Sequence, residues 1–146
     1  MIIIQGKPIA QSRPRFARRG KFVHVYNDQV KLEHDFMWQA KAQIHKAFSG
    51  PVFIAFHFYI KRPKSHFGTG VNSKKIKDKS PDFHITKPDL TNLEKFAEDC
   101  LTKLEIWPDD SYIVGKYSTK QYSENGIDEY TEIEIREETP IQDTPF

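Results

Sequence analysis

The sequence predicts an α/β fold: a single-domain, two-layer sandwich with a mixed β-sheet and two main helices. Three observations lead there. Strand-like and helix-like periods alternate in the order strand, strand, helix, strand, loop, helix, strand, strand, the signature of helices layered on a sheet. Val52 to Ile60 (VFIAFHFYI) is almost continuously apolar, β-branched and aromatic, as expected of a central strand covered on both faces. Leu90, Leu93, Phe96, Ala97, Cys100, Leu101 and Leu104 follow the helical period. The 146 residues suit one domain, since domains run to roughly 100–200 residues. We place that domain at 1–138 and expect residues 139–146, with two prolines, to form a mobile tail.

Ile2-Ile3-Ile4 is β-branched and reads as a short buried strand closed by Gly6 and Pro8. The following segment carries Arg13, Arg15, Arg18, Arg19 and Lys21 among prolines and glycines, which disfavours helix. Val23 to Tyr26 reads as a second extended piece. Asn27 or Asp28 can cap a helix, and apolar residues at mixed three- and four-residue spacings carry it to about residue 48, before Ser49-Gly50-Pro51. Residues 61–86 show no periodicity and are rich in lysine; a loop this long in a compact domain is usually functional or disordered. The second helix starts after Lys87-Pro88 and ends by Pro108. Ser111 to Gln121 reads as a strand, Ser123 to Gly126 as a turn, and Tyr130 to Arg136 as a half-exposed strand with alternating polarity.

Charge is divided along the chain. Residues 1–79 hold 16 Lys+Arg and 4 Asp+Glu, a net of +12, whereas residues 80–146 hold 6 and 16, a net of −10. Such asymmetry points to nucleic-acid or membrane contact or to a charged tail. No stretch approaches the roughly 18 apolar residues of a membrane span, and the N-terminus lacks the apolar core of a signal peptide, so a soluble cytoplasmic protein is expected. Cys100 is the single cysteine, which excludes an internal disulfide framework and a cysteine-based zinc site.

The densest group of chemically capable residues is KPDLTNLEKFAEDCLTKLEIWPDDS, residues 87–111. Asp89 stands at the helix entrance, and Asp109-Asp110 lead into the next strand. Should the two ends meet in the fold, Asp89, Asp109 and Asp110 form a carboxylate cluster. Clustered carboxylates repel unless neutralised. Magnesium does this with one or two protein carboxylates, several waters and substrate phosphate, and such a site hydrolyses phosphodiesters. The plainer alternative stays open: Asp89 caps the helix, Thr91 and Glu94 form a capping box, and Asp109-Asp110 serve a turn. Lys95 either pairs with Asp99 one turn on or stabilises charge on a phosphate. Asn92 either contacts phosphate or satisfies the first helical turn.

The basic segments also have two readings, a solvated face or a phosphate grip. Four arginines within residues 13–19, interleaved with Pro14 and Phe16, are denser than solubility needs, and arginine holds phosphate bidentately. Lys74, Lys75 and Lys77 add charge in the long loop. Together they suit salt-sensitive, largely sequence-independent DNA binding. The six histidines show no metal-ligand spacing; His57 reads as a satisfied core residue, and His66 and His84 have no assignable role. No nucleophile elbow or P-loop lysine is present.

K-P-D-L-T-N-L-x-K followed by D-x-L, then W-P-D-D-S-x-I-V, resembles the core signature of the RusA-type Holliday-junction resolvases. G-K-P-I-A-Q-S-R-P-R and R-P-K-S-H-F-G-T-G resemble other stretches of the same family, so the likeness runs from about Ile3 to about Arg136. The resemblance implies a homodimeric α/β endonuclease that resolves four-way DNA junctions in recombination and repair by paired, magnesium-dependent nicks. It implies that Asp89 and Asp110 carry metal with Asp109 beside them, and that Lys95 assists catalysis. Arg13, Arg15, Arg18, Arg19, Lys74, Lys75 and Lys77 are the expected DNA-backbone contacts. One departure matters: the usual D-x-D string reads D-x-T here, with Thr91 at the second aspartate. Retained activity is expected, the alternative being a branched-DNA binder whose cleavage is weak or lost.

Overall fold

The computed structural model describes residues 1–13, 15–26 and 29–139. Along the chain lie β1 (Ile2–Gln5), β2 (Arg15–Arg19), β3 (Phe22–Tyr26), α1 (Val30–Gln43), β4 (Val52–Ile60), α2 (Leu90–Lys103), β5 (Ile113–Tyr122) and β6 (Tyr130–Glu137). Four strands form one sheet in the order β1-β6-β4-β5, while β2 and β3 make a separate antiparallel hairpin. β4 runs parallel to β5 and antiparallel to β6, and β1 runs antiparallel to β6. The predicted α/β domain with a mixed sheet and two helices is therefore what the chain forms.

Val52, Ile54, Phe56, Phe58 and Ile60 of β4 are buried, in one core with Phe36 and Ala40 of α1 and Leu93, Phe96, Ala97, Cys100 and Leu101 of α2. Phe36 and Phe96 meet edge to face across the helices, with ring centroids 5.9 Å apart. Covering on both faces is corrected here. Phe53, Ala55, His57 and Tyr59 alternate onto the other face and are only half-buried. Their shelter comes from neighbouring strands instead: Arg136 lies over the Phe53 ring, His57 Nδ1 hydrogen-bonds Thr119 Oγ1, and Tyr59 stacks on Tyr130.

Four other expectations shift. The arginine-rich segment contributes a strand of its own, because Gly20, at a φ of +58°, turns the chain from Arg19 back to Phe22. Asn27 and Asp28, the expected caps, lie outside the described residues, and Gln29 occupies the N-cap of α1. That helix ends at Gln43 rather than near 48, since Ile44 is extended and the Phe48 N–H bonds the Ile106 carbonyl. The long loop is organised by two short 3-10 turns, Lys64–His66 and Gly70–Asn72, and by a bridge between Phe67 and Ile76. Of the expected tail, residues 140–146 lie outside the described residues.

α2 stops in a Schellman turn. The Ile106 N–H reaches the Leu101 carbonyl, the Glu105 N–H reaches that of Thr102, and Glu105 takes the left-handed conformation at φ +58°. The turn sends Ile106 and Trp107 into the core and brings the Asp109-Asp110 pair back against the end of α2.

Candidate active site

The buried stripe of α2 dictates what its opposite face presents. With Leu93, Phe96, Ala97, Cys100 and Leu101 turned inward, the helical period places Thr91, Lys95, Glu98 and Thr102 along the outward side, with Asn92 and Asp99 flanking them. This side walls an open cleft of about 590 Å³, lined by Gln11, Ser12, Arg13, Asn92, Lys95, Glu98, Asp99 and Asp110. The opposite wall is pinned in place. The Gln11 N–H donates to the Asn92 carbonyl at 3.0 Å. The Gln29 amide donates to the Ala10 carbonyl at 2.9 Å and accepts from the Ser12 N–H at 3.1 Å. The basic N-terminal segment thereby meets the acidic helix, and the two charge-opposed halves of the sequence share one cleft.

Asp110, Lys95, Asn92 and Arg13 come together there. Asp110 accepts a hydrogen bond from the Thr102 hydroxyl, which accepts one from the indole N–H of buried Trp107 at 3.0 Å. Lys95 is exposed and has no ion pair among the described residues; the anticipated bond to Asp99 is not made. Glu98 is taken up by Lys116, whose Nζ lies 2.6 Å from Glu98 and 3.1 Å from Glu94. Burial opposes the charge on Lys116, but the hydrogen bonds to Glu98 and then Glu94 outweigh it and raise its pKa.

Asp89 and Asp109 do not line the cleft. Asp89 is the N-cap of α2 by backbone position, yet its carboxylate makes no capping bond and sits 3.0 Å from the Lys87 ammonium. Asp109 caps the short turn at Asp110–Tyr112, with its Oδ2 accepting from the Ser111 N–H at 3.1 Å. Hydrogen bonds from Ser111 hold its carboxyl below the usual carboxylate range. The Thr91–Glu94 capping box is not formed either, because Thr91 is already inside the helix and Glu94 turns to Lys116. Among the described residues no three His, Cys, Asp or Glu side chains stand together as a metal-binding group.

Arg18 is exposed on β2, and the backbone of Arg15 and Arg19 pairs there with Tyr26 and Phe22. Lys74, Lys75 and Lys77 are exposed on the loop between β4 and α2, away from the cleft lining. Sequence reasoning passed over Glu98, Thr102 and Trp107, and considered Asp99 only as an ion-pair partner of Lys95. The signal for Glu98 and Asp99 was present in their three- and four-residue steps from Lys95, away from the apolar stripe. Cys100 is no nucleophile: burial pushes its thiol up to about 12.

The donor chemistry of the cleft fits a hard divalent cation. Asp99 and Asp110 offer carboxylate oxygens, Asn92 an amide, and no histidine or cysteine is among the lining residues. That suits an ion taking one or two protein carboxylates and filling its shell with water and phosphate.

Residues 5–136 match the family model of endodeoxyribonuclease RusA. The chain belongs to the RusA family. A Bacillus subtilis (strain 168) relative, the uncharacterized protein YqaN, is 36% identical over 141 residues, covering 92% of this chain and 93% of its own. Membership implies endodeoxyribonuclease activity. No helix among the described residues is long and apolar enough to cross a membrane.

Proposed function

We propose that the protein is a magnesium-dependent, structure-selective endonuclease that resolves four-way DNA junctions by paired nicks in recombination and repair, acting in the cytoplasm as a homodimer. The observation that carries this reading is the cleft in which Arg13 and Lys95 face Asp110 and Asp99 on a chain of the RusA family. A four-way junction has two equivalent strands to cut, and two-fold symmetry supplies two equivalent sites.

Asp110 and Asp99 on the cleft walls would hold the cation, and Asp89, which lies outside the cleft lining, would join them only by leaving Lys87. The Asp89–Lys87 pair is exposed on both sides, and such pairs are worth little, so Lys87 does not commit Asp89. Magnesium supplies, when bound, polarisation of the phosphate and activation of water. The protein's own groups do the rest. Arg13 grips a phosphate oxygen pair through its planar fork. Lys95, with no carboxylate on its ammonium among the described residues, is available to charge developing on the phosphate or leaving oxygen. The Asn92 amide is placed to orient the same phosphate. Arg15, Arg18 and Arg19 with Lys74, Lys75 and Lys77 would hold the backbone of the junction arms, and Asp109 supports Asp110 by shaping its turn.

Thr91 favours a second reading, a branched-DNA binder with weak cleavage, since a hydroxyl brings no negative charge to the site. Incubating the protein with end-labelled four-way junctions and magnesium separates the two. Symmetric nicks on the junction, absent from linear duplex and lost in Asp89→Asn, are the expected result. Junction binding without nicks over a wide range of magnesium would leave only the binder, and Thr91→Asp would then raise cleavage.

A further inference from the structure

Trp107 is buried at 1% exposure, yet its one polar atom is committed to the cleft side of α2. Its Nε1 donates to Thr102 Oγ1 at 3.0 Å, and Thr102 Oγ1 is bonded to Asp110 Oδ1. The chemistry of the three groups fixes the direction of this chain. An indole N–H only donates, a hydroxyl has a single proton, and an ionised carboxylate only accepts. With an oxygen lone pair occupied by Trp107, the Thr102 proton points to Asp110. The Schellman turn after α2 makes this possible, because it folds Trp107 back to within reach of Thr102.

We propose that Thr102 is a positioning residue, transmitting the fixed orientation of Trp107 to Asp110 so that the carboxylate meets a divalent cation in one pose. This rests on the reading of Asp110 as a cation-binding carboxylate of a nuclease. Asp110 is exposed, and an exposed aspartate otherwise samples several rotamers and loses that freedom on binding. Outer partners of metal-binding carboxylates hold them in the binding orientation. Oδ1 is engaged by Thr102, while Oδ2 has no hydrogen-bond partner among the described residues. The relay thus fixes the carboxylate and leaves one oxygen for a ligand.

The full chain is tested with Thr102→Val, which deletes the hydroxyl at nearly constant shape, and Thr102→Ser, which retains it. The first readout needs no activity. The Trp107 indole N–H resonance, identified by its loss in Trp107→Phe, is followed by NMR during titration with magnesium chloride. It moves in the wild type and in Thr102→Ser and stays still in Thr102→Val. The second is junction cleavage: Thr102→Val lowers the nicking rate or the apparent magnesium affinity by about 10–100-fold with junction KM unchanged, and Thr102→Ser restores it. A wild-type resonance that ignores magnesium, or wild-type cleavage by Thr102→Val, overturns the relay. If Thr102→Val fails to fold, the wild-type and Thr102→Ser titrations decide alone. A wild type whose resonance responds but which never nicks a junction retains the relay and loses the nuclease reading. A wild type that nicks while the resonance stays still does the reverse.

Discussion

Lys120 on β5 donates one hydrogen bond to the Pro88 carbonyl at 2.9 Å and another to the Thr86 carbonyl at 2.8 Å. A half-buried cation thereby holds the segment that delivers Asp89 to the start of α2. Hydrogen bonds to charged groups contribute about 1.5–3 kcal/mol. Lys120→Met is expected to destabilise the fold by about 2 kcal/mol and to lower junction nicking by loosening the Asp89 entrance. Urea unfolding followed by circular dichroism checks the first effect, and initial nicking rates check the second.

Gln39 and Gln43, four residues apart on α1, close the outer edge of β1. Gln43 accepts from the Ile3 N–H at 2.9 Å and donates to its carbonyl at 2.7 Å, and Gln39 does the same with Gln5 at 2.8 and 3.1 Å. Two glutamines thus stand in for a neighbouring strand on an edge that would otherwise be open to pairing. Replacing both with alanine should cost about 2 kcal/mol, at about 1 kcal/mol for each residue. It should also increase self-association in sedimentation velocity runs at raised protein concentration.

Glu105 holds the left-handed position of the Schellman turn without being glycine. A side chain there costs about 1–2 kcal/mol. Glu105→Gly should therefore raise stability by about 1 kcal/mol, visible as a higher urea midpoint with an unchanged slope. A loss of stability would mean that the Glu105 side chain contributes more than its backbone strain removes.

His84 is buried beside Tyr122, and its Nδ1 has no hydrogen-bond partner among the described residues. Burial lowers its pKa, and the nearby charges of Lys120 and His66 lower it further. The unfolded chain then binds more protons at this site than the folded one between the depressed folded value and the ordinary value of about 6.5. The stabilising contribution is present above about 6.5 and is lost as pH falls from there toward the folded value. Urea midpoints measured from about pH 7.5 to about pH 5.5 should fall for the wild type and fall less for His84→Phe.

The mixed sheet and both helices were legible because their signals are local: the β-branched run of β4, the apolar stripe of α2 and the alternation in β6. The end of α1 was not legible, because a tertiary bond from Phe48 to Ile106 decides it. The capping box at Thr91 and Glu94 failed for the same kind of reason. Lys116, on a strand 18 residues beyond Glu98, draws both glutamates to itself. Within the site, the motif pointed to Asp110, Lys95 and Asn92, which do share the cleft. The turn role of Asp109, one of the two readings open from the sequence, is what its bond to Ser111 makes of it, whereas local spacing gave no hint that Asp89 would turn to Lys87. Nor did it reveal Thr102 and Trp107, whose meeting depends on a left-handed residue that is not glycine.

The most direct measurement is single-turnover cleavage of a labelled four-way junction by Asp110→Asn beside the wild type, with junction binding followed in parallel by gel shift. Asp110→Asn should nick at least about 100-fold more slowly while binding the junction as tightly as the wild type. Cleavage by Asp110→Asn at the wild-type rate would contradict the assignment of the cleft as the active site.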